Sequence, residues 1–224
     1  MRHVLITPLM IEKYAKRLVD RLKNPLLKGV VITGSFARGE AGPYSDLDIW
    51  CFYNEPLIKS PSLPELMGIS LDMREVCLKD FRDVANGSKE YVAPCFEQLK
   101  IYGETPFVLP SRNEIKSGLM TLLLSIDSRI KQFVSPINSY ELLNDLMYIL
   151  RIERFFATSQ YPLTLSELYS MQIEASDRFL VELYSAFLFG HNHQQRTEEE
   201  IRFAVQQFVQ KRLSRNTLME RESD

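Results

Sequence analysis

Two aspartates spaced i, i+2, Asp46 and Asp48, follow a Gly34-Ser35 pair in the stretch TGSFARGEAGPYSDLDIWCFY, with Asp46 eleven residues beyond the serine. Residues i and i+2 of a β-strand share a face, so both carboxylates are expected to point the same way, with Leu47 and Ile49 turned into the core. Like charges held side by side repel each other. The arrangement persists most readily where a divalent cation neutralises both, and hard oxygen ligands suit Mg²⁺ or Mn²⁺. Glycine lets the backbone approach a ligand closely, amides at a helix start favour anions, and a serine hydroxyl adds a hydrogen bond to a phosphate oxygen. Each part alone has an ordinary reading, a turn or a pair of solvated strand residues. Together they read as a metal-dependent phosphate-handling site.

Such a site requires a third acid from a neighbouring strand. Asp72 lies between Leu71 and Met73, and Glu75 between Arg74 and Val76. Their parities differ, so a regular strand cannot turn both toward the site, and the apolar flanks favour Asp72. Ser45, next to the acid pair, is grouped with Gly34 and Ser35 as a nucleotide contact. Arg38, four residues after Gly34, is placed either to brace a phosphate or to pair with Glu40 or Asp46.

The elements that must position these residues follow from apolar periodicity. Ile11, Tyr14, Ala15, Leu18, Val19 and Leu22 recur at helical spacing and predict an amphipathic helix, ended at Asn24-Pro25. Val30 to Ile32 predicts a buried strand broken by Gly34. Gly42 and Pro43 mark a loop before a strand from Leu47 to Phe52, whose apolar flanks make it central rather than an edge. A loop from Asn54 to Pro64, a strand around Ile69 to Leu78, a short helix over Lys79 to Ala85 and a strand over Gln98 to Tyr102 complete this half.

Beyond Ser111 the periodicity becomes helical and stays so. The stripes are Leu119, Leu122, Leu123, Ile126 and Ile130; Leu142, Leu146, Ile149 and Leu150; Phe179, Leu180, Leu183, Phe187 and Leu188; and Ile201, Val205, Phe208 and Val209. Pro136 and Pro162 are natural breaks, Thr197 with Glu200 has capping-box spacing, and the tail after Leu213 is expected to fray. The expected fold is α+β: residues 1–110 form a mixed sheet flanked by helices, and residues 111–224 a helical bundle.

With 45% hydrophobic and 25% charged residues the composition is that of a globular protein, and a net charge of −2 gives no reason to expect long nucleic acid as substrate. Cys51, Cys77 and Cys95 match no zinc or redox spacing and read as inert thiols. His191 and His193 read as loop histidines, and Trp50 as core. No apolar run reaches the roughly 20 residues that span a bilayer, and the first residues lack the pattern of a secretory leader, so the expected location is cytoplasmic, without a membrane partner.

The apolar strand, Gly34-Ser35, the apolar-flanked Asp46 and Asp48, and a later third carboxylate resemble the nucleotidyltransferase superfamily that includes DNA polymerase β, and within it the antibiotic-modifying adenylyltransferases. GPYSDLDIWCF is similar to the corresponding segment of the kanamycin nucleotidyltransferases. The spacing from Asp72 to Lys79-Asp80-Phe81 resembles the family's third strand and following helix. NDLMYILRIERFFATSQYPLTLSEL is similar to a helix-turn-helix stretch of streptomycin/spectinomycin adenylyltransferases, with Asn144 and Arg151 at matching polar positions. Those enzymes carry a Ser-Lys after the turn, where this chain has Thr164-Leu165-Ser166. Asn144, Tyr148 and Arg151 fall on one helix face, which reads either as a solvated face or as part of a site.

The resemblance implies transfer of a nucleoside monophosphate, AMP from ATP, to a hydroxyl of a small molecule such as an aminoglycoside. Two Mg²⁺ ions would be held by Asp46, Asp48 and Asp72, with Asp72 as ligand or general base, and Gly34, Ser35, Arg38 and Ser45 as nucleotide contacts. Asp145 and Glu153 are weaker candidates for a base or a substrate contact. The alternatives are a protein-modifying nucleotidyltransferase of the toxin-antitoxin type and a catalytically silent binding module on the same fold.

Overall fold

The computed structural model describes residues 8–22, 25–42, 45–56, 69–84, 87–131, 139–171, 174–189 and 197–221. Pro136, His191 and His193 lie outside them. The chain divides into two compact units, Met1–Asn86 with Ala93–Leu109, and Gly87–Val92 with Pro110–Asp224.

The first unit is built on a four-stranded sheet. Its elements run α1 (Pro8–Leu22), β1 (Leu27–Thr33), α2 (Gly34–Ala37), β2 (Leu47–Tyr53), β3 (Leu71–Cys77), α3 (Leu78–Val84), the second half of α4 (Lys89–Phe96), whose first half belongs to the other unit, and β4 (Gln98–Gly103). The strand order is β3-β2-β1-β4. β1 runs antiparallel to both β2 and β4, whereas β2 and β3 are parallel, so the sheet is mixed, as expected. β2 is an inner strand.

Both faces of the sheet are covered, which explains why β1 and β2 read as nearly continuous apolar runs. On one face Leu47, Ile49, Cys51 and Tyr53 of β2 and Val30 and Ile32 of β1 pack with Tyr14, Ala15, Leu18 and Leu22 of α1. On the other face Trp50 and Phe52 form an aromatic cluster with Phe81 and Phe107, all ring centroids lying 5.3–6.2 Å apart. Such edge and offset contacts each add about 0.5–1.5 kcal/mol beyond the area they bury. Asp48 is on this second face, two residues from Trp50.

Helix α4 has no counterpart among the sequence expectations. Pro94 lies inside it and obscures its pattern, because proline in a helix interior removes a backbone hydrogen bond.

The second unit contains α5 (Arg112–Lys131), α6 (Ser139–Thr158), α7 (Leu165–Ser170), α8 (Ala175–Phe189) and α9 (Glu198–Arg221). The α5, α6 and α9 stripes are buried as read, Leu122 alone being partly exposed. The α8 stripe needs correction: Phe187 is 40% exposed, and Val181, Tyr184 and Ala186 are buried instead. The last helix continues to Arg221, past the expected fraying point. Thr197 and Glu200 form the capping box: the Glu200 amide donates to Thr197 Oγ1 at 3.2 Å and the Thr197 amide to Glu200 Oε2 at 2.9 Å. Thr164 and Glu167 form a second box at the start of α7. Among the described residues no helix is long and apolar enough to cross a membrane.

Candidate active site

The turn from β1 into α2 requires its glycine. Gly34 has φ of +69°, the left-handed region that residues with a Cβ avoid. A Cβ built there would also stand 2.2 Å from Asp48 Oδ2, so the carboxylate packs directly onto the glycine. Ser35, 8% exposed, follows at the start of α2, where Thr33 makes no side-chain capping bond to the first amides. The strand register puts Thr33 opposite Asp48, which is how a bend in one strand and an acid in the next come to share one spot.

The parallel pairing of β2 with β3 supplies the second acid. Asp48 is the register partner of Asp72, so these two residues occupy neighbouring positions on one face of the sheet. Glu75 is the partner of Cys51 and takes the opposite parity. It acts on Cys51 and Tyr53, whose ionisations it makes harder, on the α1 side of the sheet. Burial and Glu75 together push the Cys51 thiol up to about 12, and burial alone pushes Cys95 to about 12. All three cysteines are free, and the thiols of these two remain protonated at neutral pH.

β2 begins at Leu47, so Asp46 lies one residue before it and is exposed. A turn precedes it: Ser45 Oγ accepts from the Gly42 amide at 2.9 Å, and the Ser45 amide donates to the Gly42 carbonyl at 3.1 Å. Asp46 is nonetheless close enough to act on Asp48. Burial first, then Asp46 and Asp72, raise the Asp48 carboxyl to about 6 against the opposing pull of Arg74 and Arg38. Three acids therefore converge electrostatically on one point.

They are not yet gathered tightly. Among the described residues no group of three or more His, Cys, Asp or Glu side chains stands close enough to hold a metal ion. The Asp72 carboxylate instead faces Arg74 Nη2 at 3.5 Å, on side chains that are both nearly half exposed. The donor set still suits a hard divalent cation: three carboxylates whose mutual repulsion is only partly cancelled, Asp48 largely buried against Gly34, Asp46 exposed and Asp72 nearly half exposed.

Arg38 is buried and paired with two acids. Its Nε donates to Glu40 Oε2 at 3.2 Å and its Nη1 to Glu97 Oε2. Ser45, as above, uses its hydroxyl within its own turn. Among the sequence-predicted nucleotide contacts, Gly34 and Ser35 are thus brought to the acids, while Arg38 and Ser45 shape the loop between them. Sequence reasoning missed Glu97, 59 positions from Arg38, which no local pattern could have linked to it. Arg74 was legible, because a residue two positions after Asp72 in a strand must share its face.

In the helical unit the polar candidates have structural partners. Asp145 is held by Lys89 Nζ at 2.7 Å and Arg129 Nη2 at 2.5 Å. Glu153 accepts two bonds of 2.7 Å from Arg212, which also binds Asp177 at 3.0 Å. The Asn144, Tyr148 and Arg151 face is not solvated. Tyr148 and Arg151 are 3% and 1% exposed, and Asn144 Oδ1 accepts from the Tyr184 hydroxyl at 3.1 Å.

Comparison with known proteins bears on the same residues. The chain is similar in structure to spectinomycin adenyltransferase from Enterococcus faecialis, solved with ATP and spectinomycin: the TM-score is 0.57 at 14% identity, over 93% of this chain and 100% of that one. A nucleotidyltransferase-like protein from Exiguobacterium sibiricum matches more loosely, with a TM-score of 0.36 and 13% identity over 93% of this chain and 76% of the other. No curated protein matches the chain in sequence. The profile described as nucleotidyltransferase domain matches residues 11–133, more than half of the chain, and includes the Gly34-Ser35 bend and all three acids. With this sheet order, this bend and this register, the chain belongs to the nucleotidyltransferase-domain family, on a fold of the DNA polymerase β type.

Proposed function

We propose that the protein transfers AMP from ATP to a hydroxyl of a small cationic acceptor such as an aminoglycoside or spectinomycin. The observation that carries this reading is the register of Asp48 with Asp72 on the face where Asp48 also packs on Gly34. The fold shared with an enzyme crystallised with ATP and spectinomycin supports the choice of donor and acceptor class.

In this reading Gly34 allows the triphosphate to approach the backbone, and Ser35 donates to a phosphate oxygen. Asp46, Asp48 and Asp72 would hold two Mg²⁺ ions, which would supply charge to offset the triphosphate and favour ionisation of the acceptor hydroxyl. The acceptor oxygen attacks the α-phosphorus in line as the bond to the pyrophosphate oxygen breaks, and its proton passes to solvent. Asp72, level with Asp48 on the strand face and nearly half exposed, would serve as a ligand in preference to a base. We assign catalysis to residues 1–110 and acceptor recognition to residues 111–224. Three free thiols suit a reducing compartment, so a cytoplasmic location goes with this assignment.

The test is incubation with ATP, Mg²⁺ and a panel of cationic and neutral antibiotics, followed by mass spectrometry and a pyrophosphate assay. An acceptor carrying one added AMP, with matching pyrophosphate, is the expected result. AMP found on the protein itself or on a protein partner would move the assignment to protein modification. ATP binding without pyrophosphate release would reduce the chain to a binding module.

A further inference from the structure

Arg74 stands where three interactions meet. Its Nη2 lies 3.5 Å from Asp72 Oδ2, its guanidinium carbon sits 5.1 Å above the centre of the Trp50 ring, and its charge reaches Asp48. The strand pattern enforces this, since Arg74 is the register partner of Trp50 just as Asp72 is that of Asp48. A guanidinium over an indole face is a preferred cation–π arrangement, and it fixes one end of a side chain whose other interaction is with the acid. Meanwhile the three carboxylates stop short of gathering, among the described residues, into a group that could hold an ion.

We propose that Arg74 is the protein's own counter-ion for the acid cluster, parked on Trp50, and that a divalent cation must displace it from Asp72 in order to bind. This rests on the metal-dependent reading given above and adds to it a positioning residue and a reporter. Both partners are nearly half exposed, so the ion pair is weak enough for a divalent ion to outcompete. Competition of this kind is reciprocal: whatever the ion pair contributes to the metal-free state is subtracted from metal affinity. Trp50 is the single tryptophan of the chain, so its fluorescence reports the departure of the guanidinium without interference.

The experiment is a Mn²⁺ titration of the full chain, with bound ion counted by electron paramagnetic resonance and Trp50 fluorescence followed in parallel. Mn²⁺ binding to the wild type should change Trp50 emission in step with occupancy. Arg74→Gln should bind Mn²⁺ about two- to fivefold more tightly, the range expected for removal of an exposed ion pair, with a Trp50 signal that no longer responds. Arg74→Lys retains the charge but loses the planar stack, so affinity should return toward that of the wild type while the Trp50 response stays small. In an Asp72→Asn background the Arg74→Gln change should raise Mn²⁺ affinity by less than it does in the wild type. Unchanged affinity in Arg74→Gln, or a Trp50 signal indifferent to bound Mn²⁺ in the wild type, overturns the role of Arg74 and leaves the metal site standing. A wild type that binds no Mn²⁺ removes both.

Discussion

The two units each hold a cluster of charges around one largely buried group, and the clusters are built on opposite principles. In the helical unit Arg212 is held between Glu153 and Asp177 by direct hydrogen bonds between opposite charges. In the sheet unit Asp48 is surrounded by other acids, and its carboxyl rises to about 6 under burial, Asp46 and Asp72. The first arrangement resolves its electrostatics within the fold and joins α6, α8 and α9. The second leaves them unresolved, which costs stability and fits the ligand site proposed above.

The contrast predicts opposite responses to removal of its central residue. Asp48→Asn should lower nucleotidyl transfer by at least about a thousandfold, some 4 kcal/mol of barrier, in a pyrophosphate-release assay. The same change should leave the metal-free protein equally or more stable. Because folding raises the Asp48 pKa above its ordinary value of 3.8 to about 6, its stabilising contribution is complete below pH 3.8 and is lost as pH rises through about 6. Denaturant titrations between pH 4 and 8 without metal should therefore show the asparagine variant gaining on the wild type as pH rises, by about 1–3 kcal/mol at the upper end. A variant that unfolds instead would make Asp48 structural and erase the contrast.

Arg212→Ala should do the reverse, costing about 3 kcal/mol of stability in urea because it leaves Asp177 buried without its partner. Turnover per folded molecule should change little. Gly34→Ala tests the packing of glycine on acid. A methyl group in a left-handed backbone, 2.2 Å from Asp48 Oδ2, should cost about 1–3 kcal/mol in thermal unfolding and weaken ATP binding as well. The smallest effect is expected at Thr164→Ala, which removes one capping-box bond at the start of α7 and should cost about 1 kcal/mol in chemical denaturation without touching the chemistry.

Periodicity made much of this legible. A strand alternates faces whatever it packs against, so Leu47 and Ile49 had to be core if Asp48 was not, and helical spacing alone identified the buried stripes of α5, α6 and α9. It failed where the environment assigns the face. Phe187 has the right spacing but the wrong side of α8, and Tyr148 and Arg151 look solvated until the surrounding helices bury them.

By itself the sequence determined that a Gly34-Ser35 bend follows one apolar strand, that Asp48 alternates with core residues in the next, and that Asp72 and Glu75 must face opposite ways, because these follow from local geometry over a few residues. Only the tertiary structure decided that β2 and β3 run parallel with Asp48 level with Asp72, that Arg38 is neutralised by Glu40 and Glu97, and that Arg74 rests on Trp50. Pairing register and ion-pair choice depend on contacts between segments far apart in the chain, and no local spacing encodes them.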